Sequence, residues 1–196
     1  LEIKKALNSS VIVNNRKIEN GIKGIPSIFT SHYIESNNQS YAYRPVTLSS
    51  FAIEYEFFGA NPAISHLINL LLYIVTCLLL FELLRNLFKE YHWLLTLVTI
   101  GLFIIHPIHT EVVNNVKSRD ELLCFLFAIL ALMSVLTYIK KYNFLYIILA
   151  IILMAFSLLS KLSSLTFLAV IPLTIYFFGN VKGKTLLAIT VSFLLL

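Results

Sequence analysis

Residues 63–84, AISHLINLLLYIVTCLLLFELL, form an apolar run of membrane-spanning length. At about 1.5 Å per residue, a helix over this run is about 33 Å long, enough to cross the hydrocarbon core of a bilayer. The 196-residue chain is 58% hydrophobic and 13% charged, with a mean hydropathy of +0.84. Soluble domains usually carry about twice that charged fraction. The sequence therefore predicts an all-α integral membrane protein.

Further apolar runs predict a multi-pass helical bundle. Four more full spans and the beginning of a sixth are expected at residues 91–106, 121–139, 144–160, 163–178 and from 185 onward. Pro172 interrupts the fifth span, where neighbouring helices can satisfy the carbonyl that it frees. The chain thus divides into a polar first loop, 1–62, and a transmembrane region, 63–196, with five full spans and a truncated sixth. Because it begins at Leu1 and stops within an apolar run, we expect it to be a piece of a larger protein.

Charge and cysteine usage narrow the class further. The net charge of +5 does not indicate a nucleic-acid partner, because many of the Lys and Arg residues flank apolar runs. The lipid bilayer is the expected partner of these runs. Cys77 and Cys124 both lie inside apolar runs, which predicts buried hydrophobic side chains rather than a disulfide framework or a metal cluster.

The short loops predict the orientation of the chain. On one side they carry six basic residues, Arg85, Lys89, Lys140, Lys141, Lys182 and Lys184. On the other side they carry three, Lys117, Arg119 and Lys161. Cytoplasmic loops are enriched in Lys and Arg, so the first set is expected in the cytoplasm. Residues 1–62, the loop 106–120 and Lys161 then share the outer face, periplasmic or luminal.

The end of the polar region contains a helix signature. Residues 41–62, YAYRPVTLSSFAIEYEFFGANP, predict an extended approach to Arg44 and then a short interfacial helix. Pro45 suits the first helical position and Gly59 suits the helix C-terminus. A guanidinium held beside a proline at a helix start suits a pair of anionic oxygens, and a solvated surface arginine is the alternative.

A second polar segment, residues 106–123, HPIHTEVVNNVKSRDELL, connects two apolar runs. Pro107 can begin a short helix at the membrane interface. Three side chains of this segment are close enough in sequence to hold a divalent metal ion: His106, His109 and Glu111. No second set of ligands is obvious in the sequence. Asp120 and Glu121 open the third span, where acids either complement the helix dipole or serve a catalytic or cation-binding role.

Three segments in series resemble the transmembrane-and-tetratricopeptide-repeat family, multi-spanning C-type glycosyltransferases related to protein O-mannosyltransferases. They are YRPVTLSSFAIEYEFFGANPAISHLINLLLY (43–73), LFIIHPIHTEVVNNVKSRDELL (102–123) and LLSKLSSLTFLAVIPLTIYFF (158–178). The resemblance implies the N-terminal membrane portion of such a transferase, with the C-type helical core. It also implies a sugar donor on polyprenyl or dolichyl phosphate and a protein or glycan acceptor on the outer face. The expected location is a bacterial cytoplasmic membrane, or the endoplasmic reticulum membrane in a eukaryote.

The resemblance carries roles to individual residues. Those implied to bind the donor phosphate are Tyr43, Arg44 and Lys161. Those implied to border the donor site are His106, His109, Arg119, Asn8 and Ser9. The candidate catalytic residues are Asp120 and Glu111. No resident cofactor is implied beyond the possible metal ion.

Two departures from the family pattern concern catalysis. The family has an acidic pair where ALNSSVIVNN has Asn8 and Ser9, and a glutamate where Leu162 follows Ser160-Lys161. Neither Asn nor Ser accepts a proton near neutral pH, whereas a general base contributes roughly 10²–10⁴-fold to the rate. The alternative is therefore a catalytically degenerate relative that acts as a membrane scaffold or lipid binder. A transporter ranks last, because the charged residues lie near span ends rather than mid-span.

Overall fold

A computed structural model describes residues 15–32, 34–36, 39–179, 181 and 183–194 of the chain. Asn8 and Ser9 lie outside these residues, so their predicted role is untested. The chain forms two compact units. The first, which we call the polar unit, comprises Leu1–Ile74, His106–Leu123 and Leu159–Lys161. The second, which we call the apolar unit, comprises Val75–Ile105, Cys124–Leu158 and Leu162–Leu196.

Short elements precede the first long helix of the polar unit. In chain order they are α1 (Arg16–Glu19), a 3₁₀ turn (Gly21–Gly24), α2 (Ile25–Phe29) and the antiparallel strands β1 (Ile34–Ser36) and β2 (Gln39–Tyr41). Asn15 caps α1, because its Oδ1 accepts the Lys17 N–H at 3.0 Å. The small core beneath these elements contains Ile18, Ile28, Leu48, Phe51, Ala52 and Val116.

The helix predicted after Arg44 is confirmed as α3 (Pro45–Phe58). Pro45 is its first residue, where a missing N–H costs no helical hydrogen bond. Gly59 ends the helix with φ +62°, a left-handed conformation that side chains disfavour. Its N–H donates to the Tyr55 carbonyl at 2.9 Å. Proline and glycine signals therefore located both ends of this helix from the sequence.

The remaining helices follow the apolar runs. They are α4 (Pro62–Leu87), α5 (Trp93–Ile105), α6 (Ile108–Asn114), α7 (Arg119–Lys141), α8 (Leu145–Ser160), α9 (Phe167–Phe178) and α10 (Gly183–Leu194). Short 3₁₀ turns, Val116–Ser118 and Leu162–Thr166, precede α7 and α9. Except for the small β1–β2 ribbon, the described regular structure is helical, so the all-α membrane fold is confirmed.

Length and composition make two helical stretches capable of crossing a membrane, Pro62–Leu87 and Val116–Lys141. If α5 and α6 together count as one broken span, they form a third helical stretch that can cross a membrane. The other apolar helices, Leu145–Ser160 and Leu162–Phe178, are shorter. These counts cover the described residues, and five full spans with a sixth begun stays a prediction.

The core of the apolar unit is built from apolar side chains of α4 and of α7 to α10. Those with at most 1% exposure include Ile129, Val135, Met154, Ile171, Ile175 and Phe193. Cys77 and Cys124 are both buried, as the apolar runs around them predict. Large side chains of α5 remain exposed, including Trp93, Leu102 and Ile105. Such a surface is expected of a helix whose solvent is lipid.

The predicted orientation can be tested by thiol labelling. The three segments assigned to the outer face all contribute to the polar unit. Asn114 and Asn143 are both exposed and lie on opposite sides in the predicted topology. In a cysteine-free background, we expect an impermeant reagent applied to the outer face to label Asn114→Cys. Asn143→Cys should react only after permeabilisation, and the reverse pattern would contradict the assignment.

Candidate functional site

Four alternating charges meet in the polar unit, and we call Arg44, Asp120, Glu121 and Lys161 the charge cluster. Arg44 Nη1 donates to Asp120 Oδ2, and Lys161 Nζ donates to Glu121 Oε1. Lys161 Nζ also lies 3.9 Å from Asp120 Oδ2. The Asp120 side chain is only 5% exposed, whereas those of Arg44, Lys161 and Glu121 are 21, 24 and 43% exposed. The four formal charges cancel, so the cluster is electrically balanced without a ligand.

Local chain geometry brings these charges together. Proline disfavours helical geometry for the residue before it, and Arg44 has φ −141°, outside the helical region. Thr47 Oγ1 donates to the carbonyl of Ser160 at 3.2 Å, which ties the start of α3 to the residue before Lys161. Asp120 lies in the first turn of α7, and its Oδ1 accepts the Glu121 N–H at 2.8 Å. A carboxylate is favoured there by the helix dipole.

Tyr43 contacts the backbone at the end of α2. Its hydroxyl donates to the carbonyl oxygen of Phe29 at 2.7 Å, at the end of α2. This bond fixes the backbone approach to Arg44. Phosphate binding by the Tyr43 hydroxyl stays a prediction.

The histidines of the second polar segment lie together near the start of α6. The rings of His106 and His109 have centroids 6.0 Å apart, and the His109 ring is 5.9 Å from that of Tyr73. His106 Nδ1 accepts the Ile108 N–H at 3.3 Å. Glu111 is exposed on the same helix. Within the described ranges, no three His, Cys, Asp or Glu residues are grouped to hold a metal ion, so the possible metal site gains no support.

Arg119, the residue before Asp120, belongs to a second and deeply buried ionic group. Its Nη2 lies 2.6 Å from Glu54 Oε2, and the two side chains are 1 and 6% exposed. Its Nε donates to Asn69 Oδ1 at 2.9 Å, and its Nη2 donates to the Ser65 carbonyl at 3.2 Å. The guanidinium carbon lies 4.0 Å from the centroid of the Phe51 ring. We call these five residues the buried ionic group.

Three members of this group were missed in the sequence: Glu54, Ser65 and Asn69. The Ser65 hydroxyl donates to Glu54 Oε1. Asn69 Nδ2 lies 3.4 Å from the carbonyl oxygens of both Asn115 and Val116. A signal for Asn69 was present, because a lone amide inside an apolar run usually faces a polar partner in the protein interior. Glu54, within the helix of residues 45–58, gives no comparable signal.

The fold and the charge cluster define an all-α integral membrane protein whose polar unit presents paired cations and carboxylates. The chain is 33% identical over 128 residues to protein O-mannosyl-transferase TMTC1 of Homo sapiens, a match covering 63% of this chain and 14% of the human protein. Against protein O-mannosyl-transferase F38B6.6 of Caenorhabditis elegans it is also 33% identical over 128 residues, covering 62 and 18%. Against protein O-mannosyl-transferase tmtc2 of Xenopus laevis it is 38% identical over 92 residues, covering 47 and 11%.

The chain is therefore related by sequence to the transmembrane-and-tetratricopeptide-repeat O-mannosyltransferases, as its motifs predict. It spans less than a fifth of the length of these relatives. No protein-family model matches the chain. No solved structure matches it either.

Proposed function

We propose that the charge cluster is the donor site of a membrane glycosyltransferase. The enzyme transfers a sugar from polyprenyl phosphate to a hydroxyl group of a protein or glycan. The observation that carries the proposal is that Arg44 and Lys161, the cations expected at the donor phosphate, both approach the carboxylate of Asp120. The relatives' names, protein O-mannosyl-transferases, support mannose as the sugar and a protein as the acceptor.

The two cations suit the charge changes of such a transfer. The guanidinium of Arg44 presents a planar fork that matches phosphate oxygens, and Lys161 adds a point charge. A sugar–phosphate diester carries one negative charge, and the departing polyprenyl phosphate gains a second. Fixed cations stabilise charge that develops in the transition state more than charge already present. The site is thus arranged to favour departure of the phosphate.

Asp120 is our candidate for the general base. The acceptor oxygen attacks the anomeric carbon, and the bond from that carbon to the phosphate oxygen breaks, leaving its electron pair on the phosphate. The acceptor proton passes to Asp120. When the donor phosphate takes the N–H groups of Arg44 and Lys161, Asp120 Oδ2 is released to accept this proton. Glu111, exposed on α6, is the second candidate.

A catalytically degenerate lipid binder is the second candidate function. It is favoured by three positions at which the resemblance predicts acids and the chain has Asn8, Ser9 and Leu162. Leu162 is 61% exposed directly after Lys161, where it cannot supply a carboxylate. In this alternative the charge cluster holds a lipid phosphate and no sugar is transferred.

Arg44→Ala is expected to weaken binding of polyprenyl-phosphate mannose by about 1.5–3 kcal/mol, the range for a hydrogen bond to a charged group. That corresponds to roughly a 10- to 150-fold increase in Kd. Arg44→Lys should recover part of the affinity, because the charge remains but the fork is lost. Binding is measured on the full-length protein in nanodiscs. Arg85→Ala is the control, since that arginine is 59% exposed and pairs with Glu82 at 3.4 Å.

The same preparation separates the two candidate functions. Sugar transfer to a hydroxyl-bearing peptide by the wild type, lost in Arg44→Ala, supports the transferase. Donor binding without transfer supports the lipid binder. Equal donor affinity in the wild type and Arg44→Ala would contradict a role of the charge cluster in either candidate function.

A further inference from the structure

We propose that Glu54 is a positioning residue that holds Asp120 in place through Arg119. This inference rests on the proposed donor site at the charge cluster. Glu54 does not belong to that cluster, and its carboxylate pairs with Arg119 rather than with a cation expected at the phosphate. Its influence on the reaction would therefore pass through the chain, from Arg119 to the next residue.

The ion pairs Arg44–Asp120 and Glu54–Arg119 both connect the region of α3 to the start of α7. Arg44, directly before α3, pairs with Asp120, and Glu54, on α3 itself, pairs with Arg119. Ten helical residues span about 15 Å, so α3 offers two well-separated attachment points to two consecutive residues. The pairs have opposite polarity, because one uses the cation Arg44, directly before α3, and the other uses the anion Glu54, on α3. Because Arg119 and Asp120 are consecutive residues, a shift of Arg119 relative to Glu54 also moves Asp120 relative to Arg44.

The buried ionic group is the more rigid of the two attachments. Arg119 and Glu54 are 1 and 6% exposed, whereas Arg44 and Asp120 are 21 and 5% exposed. Arg119 is restrained further by Asn69, the Ser65 carbonyl and the Phe51 ring. Glu54 accepts the Ser65 hydroxyl on its other oxygen. Side chains held from several directions in a dry environment keep one geometry, while partly solvated ones can exchange partners.

Asn69 extends the same restraint to the turn before Asp120. Its amide nitrogen lies within 3.4 Å of the carbonyls of Asn115 and Val116, while its carbonyl oxygen accepts the Arg119 Nε–H. The 3₁₀ turn Val116–Ser118 is thus fixed at its start by Asn69 and at its end by Arg119. Asp120 follows directly, so its position depends on both contacts.

Glu54→Gln tests the inference, because it removes the charge with little change in size. In the full-length protein, hydrogen exchange over residues 116–123 should accelerate about tenfold, while exchange over residues 145–160 is unchanged. The kcat of mannose transfer should fall roughly 10²-fold, the effect of a misplacement near 1 Å. In an Asp120→Asn background, Glu54→Gln should cause no further loss. Glu54→Asp should recover part of kcat, and Glu82→Gln, on an exposed pair, is the matched control.

Several results would overturn the inference. One is unchanged exchange over residues 116–123, and another is accelerated exchange over 145–160 as well, which indicates general destabilisation. A third is multiplicative loss of kcat in the double variant. If the wild type transfers no sugar, the proposed function fails, and exchange over 116–123 alone decides the role of Glu54. If Glu54→Gln does not fold, Ser65→Ala removes one hydrogen bond to Glu54 and is judged by the same exchange criterion.

Discussion

Asp120→Asn is expected to lower the kcat of sugar transfer by roughly 10²- to 10⁴-fold, the usual contribution of a general base. Asparagine keeps the size of the side chain but cannot accept a proton near neutral pH. Donor affinity should not weaken, because the substitution removes a carboxylate that competes with the phosphate for Arg44 and Lys161. The measurement is steady-state transfer at saturating acceptor, together with donor binding to the same preparations. A fall in kcat without loss of donor affinity would identify an effect on the chemical step.

Two further sets of variants test whether Asp120, rather than another residue, is the general base. A large loss in Glu111→Gln with normal transfer in Asp120→Asn would contradict our assignment and move the role to Glu111. Asn8→Asp and Ser9→Asp place acids at the two positions where the resemblance predicts them. A rise of roughly 10²-fold in either variant would show that the base had been absent, and that Asp120 does not supply it.

Arg119→Met is expected to lower the free energy of unfolding by about 3–5 kcal/mol, because it leaves the buried carboxylate of Glu54 without its cation. Replacing both partners, as Glu54→Leu with Arg119→Met, should restore part of this loss, since an apolar pair has no desolvation cost. The remainder reflects Asn69 and Ser65, which lose their hydrogen-bond partners. Denaturation of the protein in detergent micelles provides the measurement.

The matched control is the exposed pair of Arg85 and Glu82, whose side chains are 59 and 44% exposed. Arg85→Met should change the free energy of unfolding by at most about 1 kcal/mol. Equal losses in the Arg119 and Arg85 variants would contradict the burial argument. The double Glu54–Arg119 variant should fold yet transfer slowly if Glu54 also positions Asp120.

The elements of the fold were predictable where local chemistry decides them. Pro45 and Gly59 marked both ends of α3, and apolar runs marked the long helices. Arg44 and Lys161 also occur in one unit, which is compatible with the prediction that three separate segments share the outer face. That prediction needed only the distribution of basic residues along the chain, because membrane insertion restricts the possible arrangements.

The partners of individual charges were not predictable. Arg119 and Asp120 are consecutive, so the sequence suggests one shared environment. On a helix, however, neighbouring side chains point about 100° apart, and here one pairs with Glu54 while the other pairs with Arg44. Which carboxylate meets which cation depends on how α3, α4 and the turn before α7 pack. That packing carries no pattern in the sequence comparable to hydrophobic periodicity.

The ion pair between Asp120 and Arg44 also affects how selective the charge cluster is. Asp120 is an internal competitor, since an anion that binds the Nη1 group of Arg44 must first displace it. The apparent affinity is then the intrinsic affinity multiplied by the fraction of molecules in which Arg44 is released. If that fraction is about 1%, the apparent affinity is about 100-fold weaker than the intrinsic affinity, a difference of about 2.8 kcal/mol. In the proposed donor site, this competition disfavours free phosphate at low concentration. A lipid-anchored phosphate is concentrated in the plane of the membrane, so the proposal predicts that it binds despite the competition.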